Sequence, residues 1–186
     1  MRPYKTIIAT KDSHPANHIS FASQHTGAEP FVSKHTIRNP EASGEDIEEQ
    51  QITLWPDHCV EETPGCEFPD QLYTCSIDHI IKKGSDQRVE AYSGFGSPFR
   101  NPEVAKSDLL NILREKEIKR VYICGLALDY CVKCTAIDAA EASFKTFVIE
   151  DATKAVDQSE EGLKETKREM EEHGVVFIQS AGLPTL

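Results

Sequence analysis

From residue 121 onward the hydrophobic positions fall into short, regular blocks. Val121-Tyr122-Ile123-Cys124-Gly125 is an uncharged run closed by a glycine and reads as a buried strand. Thr146 to Glu150 and Val175 to Ser180 read the same way, while 129–144 and 158–172 carry helical spacing, the second with a heavily charged composition. Strand, helix, strand, helix, strand is repeated βαβ, which calls for a parallel sheet with helical layers, an α/β fold. Upstream, Lys5 to Thr10 and Asp78 to Lys83 predict two further strands, and Pro102 to Glu117 an amphipathic helix with its proline in the first turn. The stretch between those two strands, about 18–75, shows little periodicity and includes the acidic segment ASGEDIEEQQ. A loop that long in a compact domain is usually functional or disordered.

Composition narrows the picture. At 186 residues and 39% hydrophobic content the chain suits a single domain with its own core. A formal net charge of −11, from 31 acidic against 20 basic residues, argues against a nucleic-acid or anionic-membrane partner and leaves a small-molecule substrate. No run of about 18 apolar residues exists, and Met1-Arg2-Pro3-Tyr4 leads directly into a predicted strand. The expected location is therefore cytoplasmic, with nuclear or peroxisomal presence left open. A homo-oligomer is compatible with the sequence but not required by it. The six cysteines show no dense framework, so reduced thiols are expected, one of them reactive.

Three constellations carry candidate chemistry. Asp129 has the chemistry of an N-cap, which would make Tyr130 and Cys131 the first helical residues and place a thiol beside amides that can stabilise a thiolate or hold an oxyanion. The plain alternative is a packed cysteine at a helix start. Cys131 and Cys134 also spell CxxC, but a redox pair would want a setting after the first strand, and a zinc site a second Cys/His pair. Second, Asp12 and His14 stand two positions apart after the first strand and project on one side of an extended chain. That pair suits a divalent metal, and His58 could arrive from the long loop as a third ligand. For any single histidine, a solvated or hydrogen-bonded ring is the competing reading. Third, Lys83 ends a strand just before Gly84, on the carboxyl rim of a parallel sheet where α/β sites gather.

KDSHPANHISFASQH, LWPDHCVEETPG, IIKKGSDQRVEAYSGF and YICGLALDYCVKCTAIDAA together resemble the nicotinamidase branch of the isochorismatase-like cysteine hydrolases, over nearly the whole chain. The resemblance implies a three-layer α/β/α fold around a parallel sheet. It makes Cys131 the nucleophile and Lys83 its neighbouring cation. Asp12, His14 and His58 would hold a metal, usually zinc, that anchors a pyridine nitrogen. A cis peptide between Leu126 and Ala127 would aim the Ala127 amide, with that of Cys131, at the oxyanion, and Trp55 and Tyr92 would line the ring pocket. His18 matches a less regular ligand position and stays outside the metal set. The implied reaction converts nicotinamide to nicotinate and ammonia through a cysteine thioester, in NAD salvage.

Two departures from the family pattern stand out. Leu128 occupies a position where threonine is common. The hydrophobic first strand ending in a DxQxDF-like segment, whose aspartate handles the proton, has no counterpart before Lys5. The domain is accordingly expected to be N-terminally incomplete, lacking a central strand. Two rivals remain: another small-amide hydrolase of the same superfamily, with isochorismate disfavoured by the cysteine, and a truncated, catalytically inactive member.

Overall fold

The computed structural model describes residues 4–45 and 47–183. Met1 to Pro3, read above as leading into the first strand, lie outside the described residues. The chain divides into two compact units.

The first unit in sequence comprises Ile7–Ala91 and Gly96–Ser107. Its parallel pair is β1 (Ile8–Asp12) and β4 (His79–Lys83), in a register that sets Ile8 opposite His79 and Asp12 opposite Lys83. The strand predicted over Lys5 to Thr10 thus begins and ends later. Asp78 explains the start: its amide donates to the Ile7 carbonyl and its carboxylate accepts from the Ile7 amide, so the ladder begins one residue on.

The long stretch after β1 is not structureless. It contains an antiparallel hairpin of β2 (Lys34–Arg38) and β3 (Glu49–Thr53). Ile37 and Ile52 are its buried members, and they join Ala22, Leu54, Val89, Phe99 and Val104 in this unit's core. Val104 also bears on the helix predicted from Pro102. It is drawn into this core, and Ala105 has φ 51°, outside any right-handed helix. The helix α1 is therefore confined to Leu109–Glu115.

The second unit holds α1 and a three-stranded parallel sheet ordered β5 (Arg120–Leu126), β6 (Lys145–Lys154) and β7 (Val176–Ile178). After β5 comes a single π-helical turn over Leu128–Val132, which runs into α2 (Lys133–Glu141). Between β6 and β7 lies α3 (Glu160–Glu172), whose N-cap Ser159 accepts a hydrogen bond from the Gly162 amide. Leu128 and Val132 from the π-helical turn, Ala136 from α2, Met170 from α3 and Val148 from β6 join in one buried cluster. These βαβ units bear out the α/β class with parallel strands. Among the described residues β1 pairs only with β4, and β5 only with β6. Among the described residues, no helix is long and apolar enough to cross a membrane.

Candidate functional site

Asp12 ends β1 and Lys83 ends β4, and because the two are register partners in a parallel pair their side chains leave the same face. The Lys83 ammonium lies 2.5 Å from Asp12 Oδ1 and donates to the Ala91 carbonyl at 3.0 Å. Burial would raise the Asp12 carboxyl, but the Lys83 charge and hydrogen bond, with His14 and His58 near, carry it below the usual carboxylate range. An ionised carboxylate is the state a metal ligand needs.

Two residues on, His14 is fixed by the loop after β4. Its Nδ1 donates to the Gly84 carbonyl at 2.8 Å. Gly84 has φ 67°, and a Cβ there would overlap the His14 ring, so both the conformation and the close approach demand glycine. The second histidine comes in beside it through short backbone contacts. The His14 amide donates to the Cys59 carbonyl at 3.0 Å, and His14 forms a parallel bridge with Val60. His58 Nδ1 donates to the Pro56 carbonyl at 2.8 Å. A carbonyl only accepts, so in both rings Nδ1 carries the proton and Nε2 keeps its lone pair. Asp12, His14 and His58 each offer one ligand atom within 4.8 Å of the others. Carboxylate oxygen plus two imidazole nitrogens, each imidazole oriented by a backbone carbonyl, is a donor set suited to a divalent metal with open positions.

His18 does not join them. It is fully buried, its Nε2 donates to the Val89 carbonyl at 3.1 Å, and its Nδ1 lies 2.7 Å from Ser20 Oγ. Both nitrogens are engaged. Burial, with the His14 ring centred 4.3 Å away, pushes its pKa down to about 3. Cys59 follows His58 directly, but burial, with the Asp12 charge adding, pushes its thiol up.

Around the histidines stands an aromatic wall. Phe21, completely buried, has its ring 5.6 Å from those of both His14 and His58. Trp55 lies 6.4 Å from His58, and Phe31 is edge-on to Trp55 at 5.5 Å. Two members of this site were not singled out from the sequence: Phe21, hidden in ISFASQH, and Glu90, a buried carboxylate whose charge acts on His14 and whose Oε1 accepts from the Ala91 amide. A cavity of about 520 Å³ opens beside Lys83 and Gly84. Its cations Arg88 and Lys106 already meet Asp86, Glu41 and Glu103.

The second unit carries the other predicted residues. The Leu126–Ala127 peptide is cis, Ala127 caps the π-helical turn, and half-buried Cys131 lies within that turn. Asp129 is not the N-cap the sequence implied. The helical turn begins two residues earlier, at Leu128, and the Asp129 carboxylate instead accepts from the Val156 and Asp157 amides, both at 2.9 Å, tying the turn to the end of β6. Tyr92 stacks edge-on against Tyr130 at 5.2 Å, and the Gly94 amide donates to Thr135 Oγ1. None of the six cysteines is joined in a disulfide.

Comparison with known proteins adds to this geometry. Residues 7–181 match the model of the isochorismatase domain. A nicotinamidase of Schizosaccharomyces pombe is 44% identical over 151 residues, 81% of this chain and 64% of the relative, so the chain spans just under two thirds of that protein's length. The yeast nicotinamidase bound to the inhibitor nicotinaldehyde superposes with a TM-score of 0.85 at 35% identity, covering 95% of this chain and 81% of that one. The pyrazinamidase of Pyrococcus horikoshii in complex with zinc gives a TM-score of 0.66 at 35% identity, covering 94% and 75%.

Proposed function

The chain belongs to the isochorismatase family, on its nicotinamidase branch, and from that premise we propose that it hydrolyses nicotinamide to nicotinate and ammonia. The observation that carries the proposal is the Asp12, His14 and His58 group, built round the buried His14 and set against an aromatic wall. Such a place suits a flat heteroaromatic ring with a lone pair on nitrogen. A divalent ion, zinc in our reading, would supply the Lewis acidity that anchors that nitrogen.

The chain's own residues do the rest. Asp12 is held ionised by Lys83, and the two imidazoles are held in one tautomer by Gly84 and Pro56. Trp55 and Tyr92 flank the ring in our assignment, and Lys83 keeps its place as the cation of the reaction. The Cys131 sulfur attacks the carboxamide carbon, and the developing oxyanion is received by the Ala127 and Cys131 amides. When the C–N bond breaks, ammonia leaves with the thiol proton and a thioester remains. Water then cleaves the thioester, releasing nicotinate and restoring the thiol.

The test is ammonia release from nicotinamide by the zinc-loaded protein, with intact mass and peptide mapping after rapid acid quench. Turnover with an acyl adduct on Cys131 is expected. Absence of both from a folded, metal-loaded protein would sink the proposal.

A further inference from the structure

Glu29-Pro30-Phe31-Val32 forms a β-turn in which the Val32 amide donates to the Glu29 carbonyl at 3.3 Å. Pro30 occupies the second position, which suits proline, and Phe31 the third, with φ 67°. A turn of this kind wants glycine at its third position, because only glycine takes a left-handed φ without steric cost. A bulky aromatic there is an outlier. The Phe31 side chain also fails to gain the usual reward for an aromatic, since the residue remains 59% exposed. Two costs are therefore borne at one position, in backbone conformation and in hydrophobic exposure, and a turn by itself has no need of either.

What the ring does have is a fixed neighbour. The Phe31 amide donates to the Leu54 carbonyl at 2.7 Å, and the Leu54 amide donates to the Ser33 carbonyl at 2.9 Å, so the turn is stitched to the residue just before Trp55. Phe31 and Trp55 meet edge to face, with centroids 5.5 Å apart and planes at 89°. Trp55 in turn neighbours His58, one of the three metal-capable residues. The aromatic series from the histidines thus ends at Phe31, whose remaining surface is open.

We propose that Phe31 is the outer member of the ring-binding wall, a positioning residue that holds a flat heteroaromatic amide by completing the surface begun by Trp55. This rests on the nicotinamide reading above. Backbone strain at functional positions commonly marks a side chain held where the local fold would not put it. An aromatic contact of this geometry contributes about 3–10-fold in affinity.

The test uses Trp55, the one tryptophan of the chain, as its reporter. Nicotinamide is titrated into the zinc-loaded parent, Phe31→Gly and Phe31→Tyr while tryptophan fluorescence is followed, and kcat, KM and thermal midpoint are measured for each. Phe31→Gly is expected to weaken binding and raise KM about 3–10-fold, with kcat within about two-fold of the parent. Its midpoint should stay level or rise, because glycine suits the turn. Phe31→Tyr should restore the affinity. Unchanged binding in Phe31→Gly, or a fall in midpoint with KM unmoved, overturns the proposal and makes Phe31 a structural plug. A parent that binds nicotinamide without turnover removes the hydrolase reading while the affinity comparison still decides the role of Phe31. A parent showing no binding by fluorescence or calorimetry overturns both.

Discussion

His14 and His58 differ from His18 in which ring nitrogen is already engaged. The first two spend Nδ1 on a backbone carbonyl and keep Nε2, whereas His18 uses both, on Val89 and Ser20. Replacing them should therefore separate two effects. His58→Ala is expected to remove the bound metal with little loss of stability, since its ring is partly exposed and its one bond is to a neighbouring turn. His18→Ala should keep the metal but cost about 2–4 kcal/mol, through a cavity and an unsatisfied Val89 carbonyl. Elemental analysis paired with urea denaturation reads both, and metal loss in the His18 variant would return it to the ligand set. Asp12 and His14 were legible from sequence because strand alternation fixes their common side, whereas Phe21 and Glu90 gave no signal: one apolar residue and one acid among many look alike until the chain folds around them.

At the scale of elements, the turn carrying Cys131 is anchored sideways rather than capped. The carboxylate of Asp129 collects two amides from the segment after β6, so its removal leaves both donors without their acceptor and loosens the start of α2. Asp129→Ala should cost about 1–2 kcal/mol, lowering the thermal midpoint by about 2–8 °C, with Asp129→Asn intermediate because it keeps one oxygen. An unchanged midpoint in the alanine variant would show that solvent replaces those contacts. The βαβ succession was readable because short apolar runs at β5 and β6 alternate with segments of helical spacing, of which α3 is the more strongly charged. The hairpin of β2 and β3 was not, since KHTIR and EQQIT each bury one isoleucine and present polar side chains elsewhere, too few apolar positions to show a period of two. The helix predicted from Pro102 failed for a different reason: Val104 is claimed by the core of Phe99 and Ile37, a pull that propensity along the chain does not contain.

At the scale of the molecule, the metal-capable group and Trp55 belong to one compact unit, while Cys131, assigned to making the covalent bond, belongs to the other together with Tyr92. Binding and chemistry should therefore be lost separately. Cys131→Ala removes a half-buried thiol and leaves in place the Asp12 carboxylate and the carbonyls that orient His14 and His58, so the variant should retain one metal per chain and the Trp55 fluorescence response to nicotinamide. Ammonia release should fall to background, since no other group in the proposed route forms the thioester. Chelation of the parent should do the reverse. The metal and the fluorescence response should go, while Cys131 remains available to alkylation, because a thiol does not depend on the ring being held. The decisive measurement is a paired one, fluorescence titration and ammonia release on the alanine variant and on the chelated parent, with metal content checked in each. If Cys131→Ala still turns over, or if it loses its metal along with its activity, then the nucleophile lies elsewhere or the two units are not independent in function, and the division of roles argued from the fold does not hold.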